Sequence, residues 1–226
     1  MSKSIKNKES VSEKETRANK KEEGIYILKN INKETIKTYI DCFNKSQENV
    51  EKALKEVFER YKNSNNIHET LIKVLMLNQL YSAGLNSNEP LDDHRTSKKV
   101  NIYMMANALT EHVNEINEWL ADKDPCVAVN NILDLFPEND RPYSFVTKYC
   151  SWCMPLKYPI ADSYSKGVLY YYFKETKKYT QKDFGNYEFF CNIYNKFKEQ
   201  ECDENSSIKD VDKFLWSFGK KYGIQI

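Results

Sequence analysis

The stretch RPYSFVTKYCSWCMPLKYPIADSYSKGVLYYYF, residues 141–173, holds two residues whose types and spacing could do chemistry together: Lys148 and Asp162. Lys148 falls inside a helical pattern, with Phe145 three positions before it and Trp152 four after, so both rings share its face of the helix. A lysine held between aromatics loses water around its ammonium. That lowers its pKa and favours the neutral, nucleophilic amine. The bland reading of the same spacing is a stem lying along apolar neighbours with the ammonium in water. Asp162 follows YPIA and opens the next helical pattern, where aspartate is a preferred N-cap. Backbone N–H groups and the helix dipole favour a charged carboxylate at that position, and a cationic transition state requires such a group nearby. Fourteen residues separate the two, enough for the end of one helix and a short connection. Consecutive helices so joined pack as neighbours, so an amine and a carboxylate are expected to face one cleft.

The elements that must position them read as helices almost throughout. Residues 1–22 are mixed in charge with almost nothing apolar and are expected to form a disordered tail; 23–226 form a single helical domain, with room for two subdomains around a cleft. The run IYILKNI after Gly24 reads as a strand or an extended lead-in. Residues 33–44 and 46–63 read as two helices, the second capped by Ser46. Residues 66–84, stopped by Gly84, are apolar on nearly every side and belong at the centre of an all-α protein. A loop is expected over 86–95 and one long amphipathic helix over 97–120. Asp124 with Pro125, Asp140, Asp162 and Ser207 with Asp210 mark four further helix starts, and another helix covers 185–199. The apolar-periodic segments amount to a compact multi-helix bundle of about eight to ten helices.

The whole-chain charge of +1 hides an uneven distribution. Residues 111–140 carry eight acids against Lys123, whereas 141–182 carry Arg141 and seven lysines against Asp162 and Glu175. The basic block is a candidate phosphate-facing surface, or else a lysine-rich solvated face. The N-terminus has no apolar run of the signal-peptide kind, and no apolar stretch approaches the roughly 20 residues that cross a bilayer, so a cytoplasmic setting with reduced thiols is expected. Only six glycines occur, and neither GxGxxG nor GxxxxGK[ST] is present.

On these residues the chain resembles the helix-hairpin-helix (HhH-GPD) DNA glycosylase superfamily, as a divergent bacterial member. YPIADSYSKGVLYYY is similar to the family's PxxVDxHVxRV, with Asp162, Tyr164 and Val168 in corresponding places. RPYSFVTKYCSW resembles its lysine-bearing helix, LIKVLMLNQLYS its central helix, and VDKFLWSFGKK a closing helix. The paired-helix hairpin departs from LPGVG: here LFPENDRPYSF has no glycine, and the lysine-to-aspartate spacing is shorter. The resemblance implies an all-α DNA glycosylase/AP lyase acting on a modified or damaged base in duplex DNA, in repair or in defence against phage. The base would leave the stack for a pocket. Asp162 would stabilise positive charge developing on the sugar, and Lys148 would attack C1′ to give an imine. Asn78 and Gln79 would fill the gap in the duplex, with Arg141, Lys157 and Lys166 on phosphates. Tyr143, Phe145, Trp152 and Trp216 would line the base pocket. No metal or cofactor is implied, the partner is duplex DNA without a membrane, and the protein is expected to be a monomer.

Other constellations rank lower. Cys150-Ser-Trp-Cys153 is a CxxC late in a helix, read as two buried structural cysteines because no second half-site accompanies it. His68, His94 and His112 are scattered. The rival reading of the whole chain is a helical domain that kept the fold without the chemistry and binds DNA or another protein.

Overall fold

The computed structural model describes residues 11–85, 100–175 and 179–226, with side chains from residue 15 onward. The described elements are all helical: α1 (Val11–Lys29), α2 (Lys33–Arg60), α3 (Ile67–Leu80), α4 (Ile102–Glu111), α5 (Val113–Ala121), α6 (Pro125–Asp134), α7 (Tyr143–Cys153), α8 (Ser163–Phe173), α9 (Tyr187–Glu201) and α10 (Ile208–Tyr222). Single 3-10 turns occupy Glu138–Asp140 and Gln181–Gly185. The expected all-α bundle is what forms. The loop expected at 86–95, with His94, lies outside the described residues.

α10 is the pivot. It packs against α2 on one side and α8 on the other, while α1 crosses both α8 and α10. Its apolar stripe, Val211, Phe214, Leu215, Phe218 and Tyr222, is buried, in keeping with the i, i+3, i+4, i+7 rule. Phe214 stacks on Phe197 of α9 with centroids 5.7 Å apart. Two glycines allow α8 to lie close to α10 and to the chain that follows it. A Cβ at Gly219 would meet Tyr164 Cβ at 2.9 Å, and one at Gly167 would meet the backbone of Gln225 at 2.7 Å.

Several boundaries differ from the sequence reading, each for a physical reason. The lead-in after Gly24 is helical, and α1 extends upstream to Val11, into the stretch expected to be a tail. Gly24 is buried against Tyr222, and Leu28 is fully buried. Once that end is docked, extending the helix into the charged residues needs no new nucleus. Residues 33–60 form one helix rather than two: Ser46 sits inside α2, its hydroxyl donating to the carbonyl of Phe43 at 3.1 Å. The long helix expected to end at 120 breaks at His112 into α4 and α5. Asp140 lies in a 3-10 turn rather than capping α7, whose start has Pro142 and no side-chain cap. α3 is not central: Ile72, Leu75 and Leu80 remain exposed while Val74 and Leu77 are buried. Asp124, Asp162 and Ser207 cap their helices as expected.

Candidate active site

Asp162 is set by local sequence. Its Oδ1 accepts the N–H groups of Tyr164 (3.1 Å) and Ser165 (2.9 Å), and Ser165 Oγ accepts the Asp162 N–H at 3.0 Å, completing a capping box. The preceding YPIA segment is tied from several sides. Tyr158 donates to the Leu120 carbonyl, Tyr187 to that of Pro159, and Ser165 to that of Ile160; the Ala161 N–H donates to Thr147 Oγ1. The second oxygen of Asp162 therefore points to one place, the Lys148 amine, 3.5 Å away.

Lys148 stands on the buried side of α7 with its side chain 4% exposed. Its ammonium donates to the carbonyl of Tyr81 at 2.9 Å, just past the end of α3. Burial pulls its pKa below the ordinary lysine value, and Asp162 works against that shift. The pair thus joins α7 and the head of α8, as the fourteen-residue spacing suggested, and both partners face inward.

Tyr81 and Asp162 open onto a pocket also lined by Phe43, Glu51, Ile160, Ser165, Lys209, Asp212, Lys213 and Trp216, enclosing about 360 Å³ counting its open mouth. Lys148 lies immediately behind its two partners. Tyr81 donates to Glu51 at 2.5 Å, and Lys213 pairs with Glu51 at 3.2 Å. Asp212 accepts the Ile160 N–H at 3.1 Å. Burial raises the Asp212 pKa to about 7, opposed by Lys209 and the Ile160 N–H. Burial lowers that of Lys209, whose ammonium rests 4.1 Å from the centre of the Trp152 ring.

The other sequence-chosen residues divide. Trp216 lines the pocket and meets Phe43 and Tyr164 edge-on. Trp152 stands behind the lining, against Tyr81 and Lys209. Phe145 is core, stacked on Tyr149. Tyr143 lies against Tyr187 and under the Lys166 ammonium, away from the pocket lining. These two are a correction to the expected base pocket: Phe145 is taken up by the core, and the half-buried Tyr143 packs on Tyr187 instead of the pocket. Asn78 uses its amide on Leu85, accepting its N–H and donating to its carbonyl, so it pins the chain after α3. Gln79 is exposed. Arg141 pairs with Asp134, and Lys157 donates to the carbonyls of Leu120 and Asp122, closing the end of α5. Lys166 is partly desolvated, its pKa lowered by burial, with Asp162 opposing that shift and Lys148 adding to it. Among the described residues of the basic block, Lys148 and Lys166 are withdrawn from the surface and Arg141 and Lys157 are engaged within the chain.

The sequence reading missed Lys209, Asp212, Lys213 and Glu51. Lys209, Asp212, Lys213 and Trp216 recur at i, i+3, i+4 and i+7 on α10, one face of an amphipathic helix. That face lies opposite the apolar stripe and reads as solvated; Trp216 within it was the available signal. Among the described residues, no group of three or more His, Cys, Asp or Glu side chains is placed to hold a metal. Cys150 and Cys153 have thiols pushed up by burial, the latter to about 11.

No solved structure matches the chain. An uncharacterized protein of Haemophilus influenzae is 42% identical over 82 residues, which are 35% of this chain and 37% of that protein, so the match spans well under half of the relative's length. The model of the HI_0787_N family, described as an N-terminal domain, matches residues 35–157, from the first turn of α2 through α7 and Lys148 to the turn before Asp162. The chain belongs to the HI_0787_N N-terminal domain family.

Proposed function

We propose that the protein is a DNA glycosylase with lyase capacity, taking a modified or damaged base from duplex DNA into the pocket bounded by Asp162, Trp216 and α10. The observation that carries this reading is the buried Lys148 amine, 3.5 Å from an aspartate whose other oxygen is already held by two backbone N–H groups. Burial favours the neutral, nucleophilic amine. Asp162 would stabilise positive charge on the sugar as the glycosidic bond breaks and its electron pair leaves with the base. Lys148 then bonds to C1′; as C1′–O4′ opens, one proton passes from the nitrogen to O4′ and a protonated imine results. The pocket as it stands is too small for a nucleotide, so entry would require its lining to open.

Borohydride trapping on a panel of lesion-bearing duplexes tests the reading. Wild type is expected to give a covalent band, with the reduced adduct mapping by mass spectrometry to Lys148. Lys148→Gln is expected to give none, and Asp162→Asn far less, with circular dichroism confirming that both variants fold. No band from folded wild type on any substrate, beside ordinary salt-sensitive DNA binding, supports the non-catalytic domain instead.

A further inference from the structure

Two polar atoms of the pocket residues have nothing to bond to. Lys209 Nζ and Asp212 Oδ2 are both buried, and neither has a hydrogen-bond partner. Native proteins tolerate few such atoms, because each forfeits its water without recovering a bond. The two residues stand three apart on α10, so they share a face, and both line the pocket with Asp162, Tyr81 and Trp216.

The neighbours that could satisfy them are committed elsewhere. Asp212 Oδ1 holds the Ile160 N–H. Tyr194 lies close to Asp212, but its single proton goes to the Ile208 carbonyl at 2.6 Å. Glu51 takes Tyr81 and Lys213, and Lys213 also donates to Asn44. The Lys209 ammonium lies over the ring faces of Trp152 and, farther off, Tyr81; Asp212 and Glu51 act on it electrostatically, but neither is hydrogen-bonded to it. A donor and an acceptor, adjacent and both unanswered, form a complementary half of a ligand's polar edge.

We propose that Lys209 and Asp212 form a recognition pair for the lactam edge of a nucleobase, in which a carbonyl oxygen stands beside a ring N–H. This rests on the reading that a base enters the pocket. Lysine can only donate when charged, which suits the carbonyl. A carboxylate can only accept, and it accepts best from an acidic ring N–H. An amidine edge, as in adenine, reverses the order, with its acceptor in the ring and its donor outside it. Methylation of the lactam nitrogen deletes the donor and leaves Asp212 Oδ2 unanswered.

The test is equilibrium binding of hypoxanthine, 1-methylhypoxanthine and adenine to the full chain at about pH 8, where Asp212 is ionised, followed by the three tryptophan indole N–H signals in NMR. Hypoxanthine is expected to shift the signals of Trp152 and Trp216 saturably, with Trp119 on α5 as the unmoved internal control. The other two bases are expected to bind roughly tenfold more weakly or worse, since a good bidentate contact discriminates by about that factor. Lys209→Met and Asp212→Asn are each expected to erase the preference while the Trp119 signal stays in place. The pair is refuted if folded wild type shows no hypoxanthine shifts, if the three bases bind alike, or if neither variant changes the order. Binding needs no bond cleavage, which separates this proposal from the enzymatic one. Failed trapping with hypoxanthine selectivity intact overturns the chemistry and leaves the recognition pair standing. Successful trapping with three equal affinities overturns the pair alone.

Discussion

Asp162 has two jobs that conservative substitutions can separate. Asparagine keeps an oxygen for the Tyr164 and Ser165 N–H groups but removes the charge facing Lys148. Both variants leave the Lys148 ammonium without its carboxylate, but Asp162→Asn keeps the cap and should stay folded, whereas Asp162→Ala loses the cap as well. By the usual penalty for breaking a buried pair, the alanine variant is expected to lose about 3–5 kcal/mol in urea unfolding. Asp212 makes a pH prediction. Its folded pKa, about 7, lies above the unfolded value of 3.8, so the folded state holds the proton more tightly. Its contribution to stability is then fully present below the unfolded value, declines as pH rises to about 7, and is flat above that. Asp212→Asn should flatten this limb and raise stability above pH 7, by up to ~4 kcal/mol from the size of the shift. Lys209→Met removes an unpartnered buried cation. At pH 6, where Asp212 is largely protonated, it should raise stability by about 1–2 kcal/mol rather than lower it, as expected when a polar group is kept for binding instead of folding. A lower melting temperature for Lys209→Met would mean that the ammonium has a partner in solution.

The elements around the site are held by contacts that leave no room for added volume. α8 and α10 approach at Gly219, where a methyl group would meet Tyr164 Cβ at 2.9 Å. Gly219→Ala is expected to cost about 1–3 kcal/mol and to widen the pocket by pushing α8, which carries Asp162, from α10, which carries Asp212. Calorimetry reads the first effect and the hypoxanthine titration the second; an unchanged melting temperature would contradict the close approach. At this scale the sequence was informative where a cap stood next to an apolar stripe. Asp124, Asp162 and Ser207 each begin a helix as their side chains suggested. It misled where a capping residue lay inside a longer stripe: Ser46 resembles a start, yet the docked apolar positions of α2 on both sides carry the helix through it.

Across the whole molecule, charge along the chain and charge on the surface part company. Of the basic residues in 141–182, Lys148 and Lys166 turn inward, Lys157 closes α5 and Arg141 pairs with Asp134. The cations near the pocket come from α10 instead: Lys213 beside Glu51, and Lys220, whose ammonium lies 4.3 Å from the centre of the Trp216 ring. If DNA docks over the pocket, Lys220→Glu should reduce the slope of log affinity against log salt by about one. Arg141→Gln should leave that slope unchanged, and Lys157→Met should lower stability instead of affinity. Filter binding across a salt series separates the three outcomes.

The sequence alone determined that this chain is a bundle of helices, where most of them begin, and that Lys148 and Asp162 belong to consecutive elements close enough to meet. Those properties follow from periodicity, capping chemistry and short connections, all local in the chain. Only the tertiary structure decided that the amine lies behind the carboxylate, that Phe145 is taken up by the core while Tyr143 packs on Tyr187, and that Lys209 and Asp212 of α10 complete the pocket with unanswered polar atoms. Those facts depend on which helix covers which face, and α10 reaches Asp162 through packing against α2 and α8, contacts between residues far apart in the chain that no local pattern records.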